Sequence, residues 1–253
     1  MKLRHLMIIV LTMMLFGFNL YSAAGDGNTT LGGVNGYIVI PSADPVYSGD
    51  NATVATGYSA LFSSTFAHVP FIQIGFAENF ETSLAVDIAT STDVLLNAKW
   101  RFAKGETSSI AVGIVGQALD LGGAATFAGQ LYAVSTFTGA LIDWPAKTTV
   151  LIGYTFDSTL NTDIDFGMGF EIPFFEDFFK GRVNFLMDFG NVSYSSKPSG
   201  GNAADRGLLN VGLRMLPLEF VKSVFLSADL RAMDLFDHSG RALSAGISIS
   251  FRQ

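Results

Sequence analysis

The 253-residue chain contains no cysteine. Disulfides, thiolate metal sites and attachment of a lipid through a cysteine near the amino terminus are thereby excluded. The interior of the chain also lacks any apolar run approaching the roughly 20 residues that a membrane-crossing helix needs. Yet 49% of the residues are hydrophobic and 23 are Phe, so the apolar content is dispersed rather than gathered into helices. Basic residues are few, 15 Lys and Arg against 22 Asp and Glu, for a formal charge of −7. An acidic balance of this kind argues against a nucleic-acid partner.

The first 24 residues stand apart. Lys2, Arg4 and His5 precede an uncharged apolar run from Leu6 to Leu20, and Ser22, Ala23 and Ala24 precede Gly25. That order is a secretory signal peptide, 1–24, with cleavage expected after Ala24. Its removal takes two basic residues and no acidic one, moving the charge from −7 to −9. Residues 25–49 are rich in Gly, Asn and Asp, broken by Tyr37-Ile38-Val39-Ile40 and closed by Pro41 and Pro45. They read as a periplasmic N-terminal segment that adds one short strand to the fold or tucks beneath it.

Residues 50–253 carry a period of two. Phe80, Thr82, Leu84, Val86 and Ile88 alternate with Glu81, Ser83, Ala85 and Asp87; Val94, Leu96, Ala98, Trp100 and Phe102 alternate with Asp93, Asn97, Lys99 and Arg101, with Leu95 as an exception. Such alternation is that of β-strands with two unlike faces. Twelve runs are expected, at 52–62, 69–76, 80–89, 93–102, 108–118, 127–137, 147–156, 163–172, 182–192, 207–216, 223–233 and 242–251. All seven prolines fall in connections or, for Pro70, near a strand start, as expected of a residue that cannot donate to a ladder. The expected fold is all-β, a single transmembrane antiparallel up-and-down barrel of about 12 strands after a cleaved signal peptide. Its hidden face would carry charge and its outer face would meet hydrocarbon.

Aromatics gather at one expected rim, Phe76, Phe80, Trp100, Phe102, Phe137, Trp144, Phe170 and Phe251, with a sparser set, Phe62, Phe127, Phe156 and Phe189, at the other. The turn from Pro173 to Gly181 spaces Phe174 from Phe178 and Phe175 from Phe179 by four residues. One amphipathic turn in the headgroup region, or packing under the barrel mouth, would follow. The structural rival is a soluble sandwich or lipocalin-like barrel, which alternates in the same way with its greasy side inward.

The signal, the lack of cysteine, the twelve runs and a last run ending in Phe251 together resemble a bacterial outer-membrane β-barrel protein of the porin-like class. The resemblance implies residence in the outer membrane, contact with its lipid, and recognition of the terminal aromatic by the barrel assembly machinery. Arg252 and Gln253 follow Phe251 here, a departure from that pattern. The run Gly36-Tyr-Ile-Val-Ile-Pro-Ser-Ala43 is similar to the segment that opens YjbH-type exopolysaccharide-associated barrels.

The inward faces would bring Glu81, Asp87, Asp93, Asp163, Asp165, Glu171, Asp188 and Asp229 together with Lys99, Arg101, Arg182, Arg214 and Arg231. Two readings stay open: ion pairs that fill a narrow barrel, or a charged, watery path. The expected function is a narrow passive channel for ions or small polar solutes, acting as a monomer without cofactor or metal. The alternative is a non-conducting structural or surface-interaction barrel, blocked by its own charges or by residues 25–49. A lipid-modifying enzyme ranks lower. His68 and His238 would sit in the first and last outer loops, with Asp237 and Ser239 beside His238, and no spacing demands a catalytic residue. Asp157, Asp163 and Asp165 cluster as a calcium site would require, but Asp163 and Asp165 should both face the lumen and read as paired wall charges instead.

Overall fold

The computed structural model describes residues 28–46, 52–141, 144–157, 160–161, 163–192, 207–237 and 241–252. The expected signal peptide, His238, Ser239 and the connection 193–206 lie outside them. The rest is a closed barrel of twelve antiparallel strands in chain order: β1 (Thr53–Phe62), β2 (Phe66–Phe76), β3 (Phe80–Ile88), β4 (Thr92–Lys104), β5 (Ser108–Leu119), β6 (Thr126–Leu141), β7 (Trp144–Thr155), β8 (Ile164–Pro173), β9 (Val183–Gly190), β10 (Leu208–Val221), β11 (Val224–Met233) and β12 (Ala242–Arg252). Closure is made by β1 on β12, in register from Thr53↔Arg252 to Phe62↔Leu243. No strand edge is left for water or lipid, which a hydrocarbon environment requires.

The alternation resolves into an outside and an inside. In β2 every second residue is exposed and every other buried, and β4 repeats this over most of its length. Leu96, Ile114, Leu131, Ile152 and Leu243 are more than half exposed, whereas Glu81, Lys99, Asp188 and Arg214 are almost wholly buried. A soluble barrel would have the reverse. The apolar rows form a wall for a lipid bilayer, and the sandwich and lipocalin-like alternatives are overturned. Among the described residues no helix is long and apolar enough to cross a membrane.

Stacked rings mark one rim: Phe76 on Phe80 at 5.6 Å, Phe80 on Trp100 at 5.9 Å and Trp100 beside Phe102. The opposite rim holds Phe62 on Phe66, and Tyr154 on Phe156. The side chain of Trp144 lies outside the described residues. The Phe-rich turn forms a single short helix, α1 (Glu176–Phe179), flanked by left-handed Phe175 and Lys180. It is too short for the expected four-residue pairings. Phe174 instead stacks on Phe179 and Phe185, leaving Phe175 and Phe178 exposed.

Several strands, β2, β4, β6, β7 and β10 among them, run longer than the sequence pattern suggests, and four prolines fall within strand bounds, Pro173 as the last residue of β8. Pro70 lies mid-β2, where the ladder to β3 passes from His68↔Ile88 straight to Phe71↔Ala85. Pro217 sits at the β10 register shift between Met215 and Leu218, and Pro145 is the second residue of β7. A missing N–H is tolerated where a ladder is already interrupted or beginning. Val183, expected on the outer face, is buried near the Phe-rich turn, whose Phe174 N–H donates to its carbonyl at 2.8 Å.

Because Leu96 faces lipid near the middle of β4, Leu96→Arg should cost about 2–4 kcal/mol of folding free energy in vesicles, and Phe102→Arg at the rim at most about 1. Urea titration of the two variants measures this; equal, negligible costs would contradict a lipid-facing wall.

Candidate functional site

The described part of the expected periplasmic segment does not lie beneath the barrel. Residues 28–46 fold inside it. The segment doubles back on itself through isolated bridges Thr29↔Asn35 and Gly36↔Pro41, with Gly33 in the left-handed region at φ 79°. Internal bonds run from Leu31 N–H to Ile38 O (2.8 Å) and from Ser42 N–H to Asn35 O (2.9 Å). These satisfy only some of its peptide groups. The others are cut off from bulk water and must find partners on the wall.

Those partners are the charged side chains of the lumen. Asp188 on β9 accepts three consecutive N–H groups through one oxygen, from Ile38 (2.8 Å), Val39 (2.7 Å) and Ile40 (3.0 Å), and its other oxygen takes Asn210. Glu81 on β3 accepts the N–H groups of Asn35 and Val46. Cations take the carbonyls. Lys99 on β4, also paired with Glu81 at 3.3 Å, donates to Asn35, Ser42 and Asp44. Arg214 on β10 donates to Thr29, Gly36 and Tyr37, and Arg231 on β11 donates to Thr29. Asp229 bridges the two guanidiniums at 2.6 and 2.9 Å. Glu81, Lys99, Asp188, Arg214 and Arg231 each therefore have both an opposite charge or polar side chain on the wall and the segment's backbone, the condition under which buried charge persists.

Apolar sockets complete the fit. Ile40 and Ala43 pack with the inward Leu95, Val115, Tyr132 and Leu151, while Tyr37 and Ile38 join Leu31, Phe71 and Leu186. Leu95, the exception to the alternation, thus packs with the segment. Two β8 glycines make room. A Cβ on Gly169 would collide with the Tyr37 ring, and one on Gly167 would stand 2.5 Å from Ile40. The Tyr37 hydroxyl shares a 2.9 Å hydrogen bond with Thr149.

Toward the short turns the filling ends in a vestibule of about 490 Å³ lined by Asp44, Arg101, Ser109, Lys147 and Glu171 among others. Asp44 meets Lys147 at 2.6 Å, Arg101 at 3.6 Å and the Ser109 hydroxyl. Burial alone would raise its carboxyl, but Lys147, Ser109 and Lys99 outweigh that and hold it at about 2, below the ordinary 3.8.

Of the residues expected on the inner wall, Glu81, Lys99, Arg101, Glu171, Asp188, Arg214, Asp229 and Arg231 line the lumen or its vestibule. Asp87 and Asp93 are buried and face one another in the β3–β4 register, Asp93 accepting the Asp120 N–H. Asp165 is buried among Gln130, Thr155 and Asn161. Two positions differ. Asp163 is exposed ahead of β8, because the strand begins one residue later than its pattern suggests, and Arg182 is half-buried in the turn before β9. His68 is not in a loop: it lies on the outer face of β2, its ring against Phe66 and its Nδ1 on the Tyr58 hydroxyl. Among the described residues no group of acidic or histidine side chains is arranged to hold a metal.

No protein-family model and no curated protein matches the chain. The solved structures of similar shape include the NanC porin (TM-score 0.53, 8% identity, 80% of this chain and 100% of that one) and the KdgM porin (0.52, 10%, 78% and 98%). KdgM has also been solved in complex with disordered oligogalacturonate (0.50, 8%, 78% and 98%). The fold is that of outer-membrane porins. At these identities the likeness is one of architecture, and the expected similarity of Gly36–Ala43 to YjbH-type barrels is not shown by it.

Replacing Asp188 with Ala abandons three N–H groups at about 1–3 kcal/mol each. Amide exchange at Ile38–Ile40 should then quicken roughly 100-fold, whereas Asp163→Ala should leave it unchanged. Equal exchange in both variants would contradict the role of Asp188. Asp44 sets a pH dependence of docking. Its docked pKa is depressed, so its contribution to docking is present above about pH 4 and is lost as pH falls through about 2. Pepsin, active across that range, should cut near Tyr37 more readily at the acid end; an Asp44→Asn variant should lose much of the difference.

Proposed function

We propose that this protein is a narrow, passive, non-enzymatic outer-membrane channel for small polar solutes, held closed in the present state by residues 28–46. The observation that carries the reading is what fills the lumen. A separate stretch of chain occupies the space, and the groups it covers are charged and hydrogen-bonding. The bore is also wide enough for the task. A peptide folded back on itself is roughly 10 Å across, so a lumen that holds one admits hydrated ions and small polar molecules once the peptide leaves.

The same proposal places lipid against the outer belt, and assigns recognition by the assembly machinery to the final strand, where Phe251 faces outward and Arg252 lies 3.7 Å over the Phe225 ring. A monomer suffices, since the barrel closes within one chain. No reaction is assigned to His68, whose ring is on the outer face.

One observation favours a second reading, a permanently blocked structural barrel: the apolar sockets and the β8 glycines fit the segment closely. Planar-bilayer recordings separate the two. The intact protein should be nearly silent, and a variant lacking residues 25–46, verified as folded by heat-dependent gel migration, should show discrete conductance steps. A folded deletion variant with no steps would leave the blocked barrel as the correct reading.

A further inference from the structure

Resting on the channel reading, we infer that the solute class of the emptied lumen is short peptides, and that residues 28–46 act as a built-in competitor for that site. The inference comes from which atoms of the segment the wall addresses. Arg214 takes three main-chain carbonyls, Lys99 three more and Asn97 the carbonyl of Gly32; Asp188 takes three successive N–H groups, Glu81 two and Thr136 that of Ala43. Contacts that depend on side-chain identity are fewer, centred on Tyr37, Ile40 and Asp44.

Peptide groups are common to all peptides. A lumen with carboxylates placed at N–H groups and cations placed at carbonyls recognises polypeptide rather than one sequence, as main-chain pairing does in other peptide-recognition modes. The spacing is specific in kind. Asp188 gathers donors that recur residue by residue, and Arg214 spreads its guanidinium over carbonyls that are distant in sequence but adjacent in the fold. Polyhydroxylated solutes present donor and acceptor on the same oxygen and have no need of such segregation. The sockets by Gly167 and Gly169 add room for one aliphatic and one aromatic side chain.

The test uses the variant lacking residues 25–46 in planar bilayers. Three probes are titrated: a synthetic peptide of sequence 28–46, an unrelated uncharged peptide of equal length with one Tyr and one Ile, and a neutral maltooligosaccharide of similar mass. Both peptides should block the current at concentrations at least about ten-fold below the oligosaccharide, and Arg214→Met should raise both peptides' blocking concentrations by about ten-fold or more. Block by the 28–46 peptide alone would overturn the inference, leaving a lock made for one key. Equal block by the oligosaccharide would overturn it as well. Absence of any current from the folded variant would remove the channel reading instead. Peptide affinity is then read by calorimetry on the same protein: binding of both peptides supports peptide recognition, and binding of neither overturns it.

Discussion

Buried peptide groups must be paired, and this constraint governs both sides of the barrel wall. In the wall itself the ladder does the pairing, and closure of β1 on β12 leaves no edge. Inside, residues 28–46 have no sheet to join. Their N–H and C=O groups fall to Asp188, Glu81, Lys99 and Arg214, and those four ions in turn are tolerable at such depth because the segment and their neighbours surround them. In the filled barrel, segment and charges satisfy one another. Removal of the segment would leave a charged bore that only water or a polar solute can satisfy.

The outward belt and the inward charges are one pattern read from two sides. Strand alternation puts Leu96 in lipid and Asn97 against Gly32 O through adjacent positions of β4. A slip of one residue would exchange them, so the register is held firmly. The register also determines where the inner wall departs from polarity: Leu95, Leu151 and Leu186 are inward and apolar, and each packs with part of the segment.

The strands and most of the charged lumen were legible in the sequence because a period of two is a local signal. Glu81, Lys99, Asp188 and Arg214 could be assigned to the hidden face without knowing what they met there. Strand ends were less legible. Asp163 misses the wall by one residue, His68 turns outward from a strand that starts earlier than its pattern implies, and Pro70 and Pro217 sit within strands at ladder interruptions that no local signal marks. The content of the lumen was not legible at all, because it depends on a contact between distant parts of the chain. Tyr37-Ile38-Val39-Ile40 announces an apolar stretch, not its destination. The break at Leu95 and the glycines of β8 were its traces, but narrowness of the barrel accounts for small residues equally well in the absence of coordinates.

The seat of residues 28–46 within the wall is the central claim. A chain without cysteine allows a direct measurement of it. The Ala43 N–H reaches the Thr136 hydroxyl at 2.8 Å, and both residues are buried. In a double variant, Ala43→Cys with Thr136→Cys, mild oxidation of the protein in intact membranes should join the two cysteines and shift its migration on a non-reducing gel. Failure to cross-link, with both cysteines instead labelled by a water-soluble maleimide, would contradict the account.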